Sequence, residues 1–110
     1  MADAGICTWD TKAYYFSARP SQVDESIKTI GLPNFPSYTS GHSTFSGAAA
    51  AVMGYLFPTA SAEYAAMARE ASESRIYGGI HFRSDCEVGL RCGNAIGGFS
   101  VNFGRNDGSQ

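Results

Sequence analysis

No stretch of this chain stays apolar for the ~18 to 20 residues that a membrane-spanning helix needs, and its N-terminus has neither the basic nor the apolar region of a secretory signal peptide. A soluble chain is expected, with its compartment left open. Excess positive charge is missing too: Lys and Arg number 8 against 10 Asp and Glu, for a net charge of -2 and a charged fraction of 16%. A nucleic-acid binder shows a basic excess or stripe, so that partner is excluded and any basic cluster must be local. Three cysteines, Cys7, Cys86 and Cys92, form an odd set without CxxC spacing, and only two histidines accompany them. Neither a disulfide framework nor a zinc site follows from that inventory; free buried thiols are the simplest reading. Internal repeats are absent, and nothing alternates as a half-buried strand would. At 110 residues the chain is one domain that buries roughly 60 to 70% of its unfolded surface, with room for one core and one site.

What is present is helical. Apolar and aromatic residues from Gly5 to Ser17 predict a helix ended by Pro20, which disfavours helix in the residue before it. Gly31 to Thr39 holds two prolines among turn formers and reads as an ordered loop. Ser40-Gly41-His42 opens a small-residue helix that continues from Ser43 to Phe57 and is stopped by Pro58. A third helix is expected from Ser61 to Arg75 or Tyr77, with Gly78-Gly79 at its end. Ser84-Asp85-Cys86-Glu87 fits a capping box and predicts the start of the last helix, with Ser84 as cap and His81 in the turn before it. Gly89, Gly93 and Gly97 recur every four residues and give that helix one smooth face for close backbone approach. From Gly104 to Gln110 a polar, frayed tail is expected. The fold class is all-α.

The chemistry sits in three short stretches. A phosphate-like anion is held by cations and by the free N–H groups at a helix N-terminus. Ser40 and Gly41 occupy such a terminus: glycine admits close backbone approach, and the Ser40 hydroxyl can donate. Lys12, Arg19 and Arg75 together could neutralise a dianion. His42, in the first helical turn, could protonate a leaving oxygen. His81 and Asp85 are four apart, and a carboxylate on one ring nitrogen fixes the tautomer and frees the other nitrogen to attack or ligate. Arg83, between them, is given no role.

These residues resemble the signature of the type 2 phosphatidic acid phosphatase and vanadium haloperoxidase superfamily: Lys, six residues, Arg-Pro; then Ser-Gly-His; then Ser-Arg, five residues, His, three residues, Asp. Here the three parts are Lys12 to Arg19-Pro20, Ser40-Gly41-His42, and Ser74-Arg75 through His81 to Asp85. The resemblance implies a helical bundle with a pocket at one end, where Lys12, Arg19, Ser40, Gly41 and Arg75 contact the oxyanion. In the phosphatases of this superfamily His81 would be the nucleophile that forms a phosphohistidine, oriented by Asp85, with His42 as general acid and no metal. In the haloperoxidases the same pocket would hold vanadate as cofactor, with His81 as axial ligand to vanadium and His42 assisting peroxide.

Trp9 and Phe35 resemble the halide-side walls of fungal chloroperoxidases, so the haloperoxidase branch, using hydrogen peroxide and a halide, is preferred. A soluble acid phosphatase acting on a phosphomonoester is the alternative. Thr39 departs from the Pro usual before Ser-Gly-His, which changes loop stiffness and removes no ligand. Family members place several helices before the Lys motif, and this chain begins almost on it. An excerpt of a longer protein, or pairing into a homo-oligomer, would supply the missing walls. A catalytically silent fragment or interaction module is the third reading.

Overall fold

The computed structural model describes residues 1–108, whose regular structure is all helical, with no strand among them. In chain order, α1 covers Ala2–Tyr15, α2 Pro20–Val23, α3 Gly41–Leu56, α4 Ser61–Tyr77 and α5 Arg83–Asn106, with a 3-10 turn at Pro58–Ala60. The first helix ends earlier than Pro20 implies. Phe16 takes a left-handed conformation (φ 46°) and its N–H bonds the Lys12 carbonyl, so one residue closes the helix without proline's help. Pro20 instead opens α2, at a position where its missing N–H leaves nothing unpaired.

The third expected helix is found as α4, and the chain turns after it through Gly79 (φ 71°), where a Cβ would stand 2.6 Å from the Lys28 carbonyl oxygen. Only glycine fits there. The last helix starts ahead of its expected cap. Ser84 is exposed inside the first turn, and the residue that closes the N-terminus is Asp85, whose Oδ2 accepts the Phe82 N–H at 3.0 Å. A buried carboxylate is the stronger acceptor for a helix N-terminus than an exposed hydroxyl. α5 also runs to Asn106, past Phe103, where the tail was expected to begin. Ser109 and Gln110, the end of that tail, lie outside the described residues.

α3 and α5 form the most extensive pair, α4 packs on both, and α1 crosses the α3–α5 end. The glycine face of α5 makes this possible. A Cβ on Gly93 would lie 2.1 Å from the Thr44 carbonyl oxygen, and one on Gly97 would lie 2.6 Å from Ala51 Cβ. The strip therefore packs within the chain, and it draws the N-termini of α3 and α5 together: the Ser40 N–H donates to the Asp85 carbonyl at 3.1 Å. The apolar interior is small, made of Ala4, Ala48, Ala68, Ile80 and Cys86. Cys7 and Cys92 are only half-buried, so the expected burial of the free thiols holds for Cys86 alone. No helix among the described residues is long and apolar enough to cross a membrane.

Candidate active site

His81 stands in the turn between α4 and α5, and Asp85 lies one helical turn later on α5. Both are buried, at 5% and 3% exposure. His81 Nδ1 lies 3.2 Å from Asp85 Oδ2, and on the other side of the ring Arg19 Nη1 lies 3.3 Å from Nε2. A guanidinium only donates, so Nε2 is the accepting nitrogen and Nδ1 carries the proton toward the carboxylate. Burial lowers the His81 pKa; the bond to Asp85 opposes this, while Arg19 and Lys12 add to it. The imidazole is thus held neutral, with its lone pair toward the cations. Burial on its own would raise the Asp85 carboxyl, but hydrogen bonds from His81, Ser37 and the Phe82 N–H outweigh it and keep the group below its ordinary pKa.

Lys12 and Arg19 are almost fully buried, at 2% and 1% exposure. The loop before α3 receives both. Lys12 Nζ donates to the carbonyls of Pro36 (2.8 Å) and Ser37 (3.2 Å). Arg19 donates from Nε to the Phe35 carbonyl at 3.0 Å and from Nη1 to the Ile80 carbonyl at 2.7 Å. Desolvation, reinforced by the neighbouring Arg19 and opposed by Asp85, lowers the Lys12 pKa to about 8. Two buried cations beside one carboxylate leave a local positive excess that favours an anion.

A cavity of about 560 Å³ opens beside this cluster, and Trp9, Lys12, Phe35, Gly41, His42, Arg75 and His81 all line it. Seven of the ten residues singled out from the sequence thus line one cavity. Arg19, Ser40 and Asp85 are buried and do not line it. Ser40 is fully buried, and its Oγ accepts the Ser43 N–H at 3.4 Å, so it caps α3 and still has its own O–H to donate. Gly41 and His42 open α3 ahead of those first paired amides, presenting the positive end of the helix to the cavity. Burial and the Arg75 guanidinium lower the His42 pKa. Trp9 and Phe35 meet edge to face with centroids 5.1 Å apart, and the Lys12 ammonium sits 5.0 Å from the Phe35 ring centroid.

Sequence reasoning missed Ser37. This residue is fully buried; its Oγ lies 3.2 Å from His81 Nδ1 and its hydroxyl donates a short hydrogen bond to Asp85 Oδ2. Its position between Pro36 and Tyr38 in a turn-rich stretch reads only as loop, and the one available signal was its place three residues before Ser40. Thr39 was noted only as a departure from Pro. Its hydroxyl pairs with that of Thr11 on α1 at 2.9 Å, which fastens the loop to the helix bearing Lys12.

Comparison with known proteins bears on the fold and family. The PAP2 superfamily profile matches residues 1–108. Among solved structures, a bacterial vanadium-dependent iodoperoxidase aligns with a TM-score of 0.83 at 39% identity, over 92% of this chain and 30% of that one. A transmembrane PAP2-type phosphatidylglycerolphosphate phosphatase from Bacillus subtilis aligns with a TM-score of 0.80 at 20% identity, over 94% of this chain and 55% of that one. At that identity the second likeness is one of fold. The chain spans about 30% of the iodoperoxidase and 55% of the phosphatase. No curated protein matches it.

Proposed function

The chain belongs to the PAP2 superfamily, and from that premise we propose that it carries the oxyanion site of a vanadium-dependent haloperoxidase. The observation that carries the proposal is the state of His81: a buried neutral imidazole, its Nδ1 proton held by Asp85 and its Nε2 lone pair among cations. That donor set fits vanadate, an oxyanion that takes one nitrogen ligand and cationic partners for its oxygens. His81 would ligate it, with Lys12, Arg19, Arg75 and the opening amides of α3 holding the oxygens. Vanadate bound there would supply a Lewis acid that activates hydrogen peroxide toward a halide. The chain's own residues do the rest. Asp85 fixes the His81 tautomer; Lys12 stands where it can stabilise developing negative charge. His42, neutral near pH 7 and at the cavity wall, can take the proton of an incoming peroxide. Trp9 and Phe35, both partly open to solvent, would give an aromatic face to the halide. The likeness to an iodoperoxidase at 39% identity supports this branch.

The same donors suit a phosphomonoester, with His81 Nε2 attacking phosphorus and His42 protonating the leaving oxygen, so an acid phosphatase is the second reading. One paired assay separates them: iodide and bromide oxidation with orthovanadate and hydrogen peroxide, beside hydrolysis of an aryl phosphate without vanadate. Vanadate-dependent halide oxidation is expected, and hydrolysis alone, inhibited by vanadate, would replace the proposal with the phosphatase. His81→Ala should abolish orthovanadate binding, read by equilibrium dialysis; retention of tight binding would overturn the role given to His81. Silence of the wild-type protein in both assays, without vanadate binding, is the signature of the catalytically silent fragment.

A further inference from the structure

Two of the three Lys12 ammonium protons go to the loop before α3, at the carbonyls of Pro36 and Ser37. The third remains for a ligand in the cavity that Lys12 lines, and its direction is set by where those two carbonyls stand. The loop is tied to α1 again, one residue before Lys12. Thr11 Oγ1 donates to the Thr8 carbonyl at 2.9 Å, so in its 2.9 Å contact with Thr39 Oγ1 it can only accept. Thr39 is therefore the donor, and its backbone N–H lies 3.4 Å from the same oxygen. The Thr11 hydroxyl thus has its one proton and both its acceptor sites engaged, and Thr39 is buried at 1% exposure. Ser17 holds the same loop through the Ser37 and Tyr38 N–H groups, but at a point past the end of α1 rather than on the helix.

We infer that Thr39 is a positioning residue for Lys12: through the Thr11 hydroxyl it fixes the stretch 36–39 at one height on α1, and so aims the remaining Lys12 N–H into the cavity. Thr39 does not line that cavity and acts only through the loop. With its hydroxyl gone, the buried Thr11 oxygen keeps the longer amide contact alone, and the carbonyls that orient the ammonium lose their nearest anchor to the helix. A residue that merely filled space would be replaced by valine without turning Lys12. The part this N–H plays in holding an oxyanion rests on the function proposed above; the placement of Lys12 does not.

The chain has two lysines, Lys12 and Lys28, so carbon-13-labelled lysine in a Lys28→Arg background shows Lys12 alone by NMR. Its ammonium lies over the Phe35 ring, 5.0 Å from the centroid, and the ring current should hold the Lys12 ε-methylene protons upfield of an exposed lysine's. Thr39→Val, close in shape but without the hydroxyl, should move them toward the exposed-lysine position, and Thr39→Ser, which keeps the donor, should leave them in place. Orthovanadate affinity, read by equilibrium dialysis at neutral pH, should fall about 2- to 10-fold in Thr39→Val, the worth of one neutral hydrogen bond, and recover in Thr39→Ser. Added to Lys12→Met, Thr39→Val should cost nothing further, because the two act as one unit. An unmoved Lys12 signal in folded Thr39→Val overturns the inference, as does an undiminished loss of affinity in the Lys12→Met background. If the valine variant does not fold, Thr11→Ala removes the same bond from the helix side; the same displacement is expected, and an unmoved signal overturns the inference. A wild-type protein that binds no orthovanadate would remove the proposed function, and the Lys12 signal would still decide the positioning.

Discussion

Lys12 is the residue at which burial and charge most directly oppose each other. Its ammonium is buried beside Arg19, and its pKa stands at about 8 where an ordinary lysine titrates near 10.5. Between those values the folded state holds fewer protons than the unfolded chain. The contribution of this group to stability therefore rises with pH across that window, because deprotonation relieves an unfavourable buried charge. Anion binding must run the other way, since the neutral amine no longer attracts the ligand. Sulfate, whose own charge is constant in this range, is the suitable probe. Its affinity, measured by calorimetry, should fall from pH 8 to pH 10 with a slope approaching about tenfold per pH unit, and Lys12→Arg should flatten that fall. A pH-independent affinity in the wild-type protein would remove Lys12 from the anion site. Residue type and spacing, with the family resemblance, singled out Lys12, Arg19, His81 and Asp85, and the fold brings the four together. Ser37 was not legible, since a serine in a loop becomes a partner of His81 only once α1, α5 and the loop are folded together.

At the scale of the helix, the site depends on how closely α5 approaches α3, and glycine sets that distance. Gly93 lies against the Thr44 carbonyl, where an added Cβ would be 2.1 Å from backbone oxygen, whereas Gly98 on the same helix has nothing within 4 Å of that position. Gly93→Ala should lower stability by about 1 to 3 kcal/mol or more, as overpacking against an immobile backbone does. Gly98→Ala should raise it by about 0.5 to 1 kcal/mol through helix propensity alone. Denaturant melts of the two variants check this, and equal effects would mean that α5 does not pack on α3 as described. Because the Ser40 N–H reaches the Asp85 carbonyl across this same seam, Gly93→Ala should also weaken anion binding. The glycine spacing was readable in the sequence, as were α3 and α4, whose Ala-rich content and proline or glycine stops are local signals. The ends of α1 and α5 were not. Phe16 in a left-handed cap and Asp85 closing the α5 N-terminus are choices made by tertiary context, in which a buried carboxylate displaced the exposed Ser84-Glu87 box.

The whole molecule joins a thin apolar interior to a charged end. Its radius of gyration is 15.0 Å, against about 13 Å for a compact domain of this length, and large apolar side chains such as Ile6, Tyr14, Phe16, Tyr77, Phe99 and Phe103 remain exposed. The fully buried side chains of greatest volume are Arg19 and Lys12, so the best-enclosed part of the fold is also the part that suffers most from uncompensated charge. An anion that binds only the folded state and neutralises that charge should stabilise the entire chain. At a free concentration about 100 times its Kd, such a ligand contributes about 2.7 kcal/mol, which for a domain of this size corresponds to a rise in Tm of roughly 10 to 20 °C. Thermal unfolding in orthovanadate, compared with chloride at equal ionic strength, measures it directly. A rise confined to orthovanadate and lost in His81→Ala would tie the stability of the bundle to its oxyanion site. An equal response to chloride would reduce the effect to general screening, and the buried cations would then owe their positions to contacts within the chain, among them the carbonyls of residues 35–37 and 80.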